Sequence, residues 1–219
     1  MVVPGTLLAE GKYEAGFNVY HDGDKLYASM VGLADLKNDM ISVIPLRGCY
    51  LPQPGDAVIG KVIECMATAW MLDIRSPYLG VLFASEFLSK PLNPMREEAR
   101  RYLDIGEMVI ATVIAFDRTR NPSLSTKDHG LGKIQRGTVI DIDFTRVPRI
   151  IGKKGSMISM LKNESNTQIF VGQNGRVWIS GKTRDEEAMV AAAIRKIEAE
   201  AHINGLTDRI REYLVSNRK

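Results

Sequence analysis

The sequence predicts a multidomain chain, mostly β in its first two parts and α+β in its third. Three observations lead there. Short β-type runs bounded by turn residues fill residues 1–127. A Leu51-Pro-Gln-Pro-Gly55 segment interrupts them, and from residue 128 strand and helix patterns alternate around Gly152-Lys153-Lys154-Gly155. Domains are therefore expected at 1–54, 55–127 and 128–219.

In the first part, Phe17–His21 and Lys25–Met30 flank Asp22-Gly23, a hairpin signal because glycine accepts the positive φ such turns need. Ile41–Leu46 reads as a further strand, and the part as a small β-sandwich or barrel-like domain. In the second, Ala57–Cys65, Trp70–Arg75, Leu79–Phe83, Glu107–Phe116 and Ser123–Thr126 are short strand candidates. A helix-like Pro94–Leu103 sits between the third and fourth. Five strands with a helical insertion suggest an OB-type barrel.

The third part opens with apolar Ile140, Ile142 and Phe144 alternating with Asp141 and Asp143, a half-buried strand over 138–145. A short helix, the glycine-bracketed loop and a helix over Ser156–Glu164 follow. Thr167–Val171 and Arg176–Ser180 are strands joined through Asn174-Gly175, a type I′ turn signature. Thr183-Arg-Asp-Glu186 is a capping box opening a long helix, and Thr207 is placed to cap a last short one with Ile210, Tyr213 and Leu214 on one face. The order β-α-α-β-β-α with a C-terminal helix is that of a type I-like KH domain.

Charge singles out the same region. Residues 1–54 carry four basic and six acidic groups, residues 55–127 nine of each, and residues 128–219 sixteen basic and eleven acidic. No acidic residue falls between Asp143 and Glu164, whereas Arg146, Arg149, Lys153, Lys154 and Lys162 do. Glycines let a phosphate backbone approach the main chain, and a following helix N-terminus favours anions. Arg149, Ile151, Gly152, Lys153, Lys154, Gly155 and Ser156 are thus the expected single-strand clamp, gripping roughly four nucleotides. Ile151, Ile158, Ile169 and Val171 are candidates for the apolar groove under the bases. Gly152→Asp or Gly155→Asp is expected to weaken binding and leave the fold largely intact.

Several classes are disfavoured. The longest apolar run, Ala188–Ile194, is far short of a membrane span, so no membrane partner is expected. No secretory signal is evident, and two isolated cysteines, Cys49 and Cys65, form no disulfide framework or zinc motif, which points to the cytoplasm. No cofactor motif, nucleophile elbow or Walker loop occurs. His21, His129 and His202 are scattered. Asp141 and Asp143, on one strand face, could bind Mg²⁺, but two carboxylates alone fall short of a metal site.

At this point the chain resembles a known family. Arg149–Leu161 (RIIGKKGSMISML) looks like the KH signature. Residues 55–87 (GDAVIGKVIECMATAWMLDIRSPYLGVLFASEF) with 103–128 (LDIGEMVIATVIAFDRTRNPSLSTKD) look like an S1-type OB domain. VVPGTLLAEG, LYASMVGLAD and above all GCYLPQPGDAVIGKV make the whole chain similar to the cap subunits of the archaeal RNA exosome, the ribosomal-RNA-processing protein 4 family. The resemblance implies a non-catalytic role. Three such caps would sit on a hexameric ring of RNase PH-like subunits, capture single-stranded, adenine-rich RNA, and direct its 3′ end to the pore. The N-terminal part would dock on the ring and the S1 barrels surround the pore.

The S1 part departs from the common pattern: Thr68-Ala69-Trp70-Met71 replaces the glycine-aromatic segment, and Phe83 stands where many S1 domains carry histidine. Trp70 and Phe83 are expected either to stack on bases or to fill the barrel or touch a neighbour. Lys61, Arg75, Arg118 and Arg120 are expected either on the RNA path or as solvated charge. Alternatives are a stand-alone S1–KH regulatory protein and a nuclease subunit using Asp141 and Asp143.

Overall fold

The computed structural model describes residues 1–46, 48–90, 92–93, 97–201, 203 and 205–216. It resolves into two compact units, Met1–Gly48 and Cys49–Lys219.

The first unit is all β. Strands β1 (Leu7–Glu10), β3 (Val19–Asp22) and β4 (Lys25–Ala28) form one antiparallel sheet, ordered β1-β4-β3. Strands β2 (Glu14–Ala15), β5 (Gly32–Lys37) and β6 (Met40–Pro45) form another, ordered β2-β6-β5. The β3–β4 hairpin turns at Gly23, φ 61°. Leu26, Ala28, Ile41 and Val43 are buried.

The second unit joins a barrel to an α+β module. Strands β7 (Ala57–Cys65), β8 (Ala69–Asp73), β9 (Leu79–Phe83), β10 (Met108–Ala115) and β11 (Ser123–Ser125) run β11-β9-β8-β7-β10, and β11 pairs back with β10 to close the barrel. The short helix α1 (Ala84–Phe87) follows β9. Of the expected helix over Pro94–Leu103, the described residues 97–103 form a 3-10 turn at Ala99–Arg101, and Glu97 N donates to Asn93 O at 2.9 Å; Pro94, Met95 and Arg96 lie outside the described residues, as does His202. Leu103 from this segment is fully buried and joins the barrel core.

Both boundaries differ from those expected. Tyr50 is buried in the barrel core and its hydroxyl donates to Asp56 Oδ2 at 2.6 Å, so the proline-rich stretch belongs to the barrel. Strand β12 (Gly132–Lys133) pairs with β10, so the barrel sheet extends past residue 127.

The α+β module is β13 (Thr138–Asp141), α2 (Val147–Ile151), α3 (Ser156–Ser165), β14 (Gln168–Val171), β15 (Arg176–Ser180) and α4 (Arg184–Ala199), with the antiparallel sheet ordered β13-β15-β14. Strand β13 stops at Asp141, short of the expected 145, because Phe144–Arg146 turn into a 3-10 element capped by Asp143. Thr183 and Glu186 form the reciprocal capping box. The last helix, α5 (Leu206–Ser216), starts one residue before Thr207, which is therefore inside it. Its Ile210 and Leu214 join Ile150, Leu161, Val177, Ile179, Val190, Ile194 and Ile197 in one apolar core.

Candidate nucleic-acid interface

The loop between α2 and α3 is built by two left-handed glycines. Gly152 (φ 75°) ends α2, and Gly155 (φ 78°) is the N-cap of α3, which has no side-chain cap. Lys154 between them is also left-handed, φ 53°. The first amides of α3 therefore stay free of a side-chain acceptor, as an anion-binding helix end requires. Gly152 is needed for space as well as for φ: a Cβ there would lie 2.7 Å from Met157 N and 2.8 Å from Met157 Cβ. At Gly155 a Cβ meets only Ile158 Cγ2 at 3.9 Å. This corrects the expectation for Gly152→Asp, which disturbs the start of α3 as well as the loop.

Arg149, Lys153, Lys154 and Ser156 are exposed, and no ion pair engages the three cations among the described residues. Beside them Ile151, Ile158 and Val171 are half-buried on the core, leaving an apolar surface next to the cations. Ile169 is not part of it; it is 4% exposed and sits in the core. The arrangement can hold a phosphate on the loop and a base on the apolar surface.

The expected barrel residues do not converge. Trp70 is fully buried, its Nε1 donates to Leu103 O at 2.9 Å, and its ring meets Phe87 edge-on at 5.4 Å. It fills the barrel and cannot stack on a base. Phe83 is 44% exposed at one end of β9. Lys61 is exposed opposite Asp73, and Arg118 and Arg120 are exposed on the loop before β11, towards the other end of β9.

Arg75 belongs to a different structure. Its Nη1 donates to Ile142 O at 2.7 Å and Gly175 O at 3.0 Å, across the junction of barrel and KH module. The core of that junction is the Gly172-Gln173-Asn174-Gly175 turn. Gln173 N donates to Ala57 O at 2.8 Å. Asn174, 1% exposed, donates from Nδ2 to Ile59 O (2.8 Å) and Ile74 O (3.0 Å), and its Oδ1 accepts from Ile59 N (3.3 Å). Arg176 donates to Ile59 O at 3.2 Å and to Asp73 O and Oδ2, each at 2.5 Å. Burial opposes ionisation of Asp73, but the Arg75 amide and the Arg176 guanidinium outweigh it and hold the carboxyl below the ordinary range. The turn is thus not type I′: Gly175 alone has positive φ, because Asn174 is turned into the barrel.

The same junction engages Asp141, one of the two candidate metal-ligand carboxylates. Asp141 Oδ1 lies 3.4 Å from Arg176 Nε and 3.8 Å from Arg75 Nη1. Asp143 is off the strand and accepts from Thr145 N at 2.9 Å and Thr145 Oγ1 at 2.8 Å. The two do not form a pair on one face.

An OB barrel locked to a KH module with a free cationic loop defines an RNA-binding protein. The family described as "Exosome RNA binding protein RRP4 N-terminal domain" matches residues 1–47, and the KH domain family matches residues 137–185. The exosome complex component Rrp4 of Methanosarcina mazei is 45% identical over 221 residues, spanning 100% of this chain and 82% of that protein. Rrp4 of Pyrococcus horikoshii is 41% identical over 218 residues (99% and 82%) and that of Thermofilum pendens 41% over 217 (98% and 92%). A crystal structure described as a candidate exosome complex RNA-binding protein superposes with a TM-score of 0.74 at 40% identity, over 78% of this chain and 98% of that one. The chain belongs to the Rrp4 family of exosome components.

Proposed function

We propose that this chain is a non-catalytic, cytoplasmic RNA-capturing cap of the exosome. The Gly152–Gly155 loop grips the backbone of single-stranded, adenine-rich RNA. The barrel, through Phe83, Lys61, Arg118 and Arg120, guides the 3′ end towards a ring of RNase PH-like subunits that carries three such caps. The observation that carries this reading is the free cationic loop, with Arg149, Lys153 and Lys154 exposed beside an uncapped helix start, in a chain of the Rrp4 family. Docking through the N-terminal unit is supported by its surface. Leu33 and Ile44, opposite one another on β5 and β6, are 47% and 50% exposed and share one face of that sheet. An exposed cross-strand apolar pair suits contact with another protein.

The test is reconstitution. The purified chain with RNA, Mg²⁺ and phosphate is expected to bind RNA without shortening it, and to co-purify with the ring and tighten RNA capture there. Sustained metal-dependent degradation by the chain alone, lost in Asp141→Asn, would establish the nuclease alternative instead.

A further inference from the structure

The outer face of the KH sheet, away from α2–α5, carries an aromatic feature that the capture loop does not use. Val139, Trp178 and Phe170 stand in one row across β13, β15 and β14, all half-buried. Trp178 forms one wall of a cleft of 220 Å³ whose other walls come from the barrel side, Ile110 and the Gly130–Arg136 segment. The indole is held in place. Nε1 donates to Arg136 O at 2.8 Å, and Gly137 lets the ring lie against the chain, since a Cβ there would be 2.7 Å from Nε1. A pinned aromatic bordering a cleft of this size, below the roughly 300–1,000 Å³ of drug-sized ligand sites, suits a single flat base.

The charge around it fits the same occupant. Arg136 is exposed, and its side chain enters no ion pair among the described residues. Two carboxylates on flanking elements are already engaged: Glu107 with Lys133 at 2.6 Å, and Glu187 with Thr138 Oγ1 at 2.6 Å and Gly181 N at 3.2 Å. Strand β14 links this face to the groove. It is one of the sheet's two edge strands, and while Val171 borders the groove, Phe170 faces the outer side. A strand leaving the groove around that edge meets Phe170 first and Trp178 about 5 Å further on, one strand spacing away.

We propose that the cleft between Trp178 and the Gly130–Arg136 segment is a base-stacking site for single-stranded RNA leaving the loop groove, with Arg136 on its phosphate. The inference rests on the RNA-capture reading above and extends the track beyond the roughly four nucleotides a KH loop holds. The protein supplies its own reporter, because its other tryptophan, Trp70, is fully buried.

The intact chain is titrated with oligoadenylates of about four and about ten nucleotides, following tryptophan emission and the anisotropy of labelled RNA. The longer RNA is expected to quench emission and the shorter one not. Trp178→Phe is expected to remove most of the emission change. Arg136→Glu, an exposed position whose only shown bond is through its carbonyl, is expected to weaken the longer RNA about tenfold and leave the shorter one unchanged. Binding of the longer RNA with unchanged emission and no effect of Arg136→Glu overturns the cleft and leaves the capture loop standing. Emission that responds to ring subunits but not to RNA assigns the face to a protein and also overturns it. Failure of either RNA to bind removes both readings.

Discussion

The KH module contains two four-residue loops bracketed by glycines, and they have opposite fates. Gly152-Lys-Lys-Gly155 presents two exposed lysines that enter no ion pair among the described residues, next to a helix end with no side-chain cap. Gly172-Gln-Asn-Gly175 is pressed against the barrel, with both amide hydrogens and the oxygen of Asn174 engaged. The glycine spacing is the same in both; the side chains between the glycines differ. Lysine is costly to bury unpaired, so its loop stays in water and available to an anion. Asparagine is small, uncharged and able to satisfy strand donors and acceptors at once, so its loop can be an internal joint. In the proposed function the first loop meets the ligand, and the second fixes the platform that carries it.

The largest consequence falls on the buried loop. Asn174→Ala leaves Ile59 N, Ile59 O and Ile74 O without this partner, and the second unit is expected to lose about 3 kcal/mol of stability in urea unfolding. A loss under 1 kcal/mol would mean that the junction is not held by this turn. Gly152→Asp comes next, at about 2 kcal/mol, from a left-handed φ and the clash with Met157; equal stability in Gly152→Asp and wild type would remove the packing role assigned to that glycine.

Acid tests the junction in a second way. The Asp73 pKa is depressed in the folded chain, so its contribution is fully present above the ordinary carboxylate pKa of about 3.9 and is lost as pH falls through the lower folded value. Melting temperature should therefore fall more steeply in acid for wild type than for Asp73→Asn; parallel curves would count against the Arg176–Asp73 pair. The smallest effect is expected at Phe83, where truncation to alanine should change stability by no more than about 0.5 kcal/mol while weakening RNA binding by about 1 kcal/mol.

The exposed loop was legible in sequence and the buried one was not, for a physical reason. Glycine spacing, a cationic run and a following amphipathic helix are local, and with strand patterning they suffice for the order β13-α2-α3-β14-β15-α4, though not for the end of β13; alternation and turn residues alone give the ends of β7 and β9. The Asn174-Gly175 pair was legible only as a turn, since its partners Ile59 and Ile74 lie 115 and 100 residues away. The same limit explains Trp70 and Arg75. Whether an aromatic fills a barrel or an arginine bridges two modules depends on Leu103 and Gly175, which adjacent sequence does not indicate. The stretch before Leu103 shows the same limit: its charge pattern suggests a helix, but its described residues form a 3-10 turn that leads Leu103 into the barrel core.

The central claim, that the Gly152–Gly155 loop grips RNA, is tested most directly by the Lys153→Asp/Lys154→Asp double variant. Both positions are exposed, so unfolding stability should stay within about 0.5 kcal/mol of wild type. Affinity for single-stranded RNA at low salt, measured by fluorescence anisotropy, should fall at least about tenfold, and the salt dependence should flatten by about 1.4 in log–log slope as two phosphate contacts are lost. A folded double variant that binds as tightly as wild type, with the same salt slope, would contradict the account.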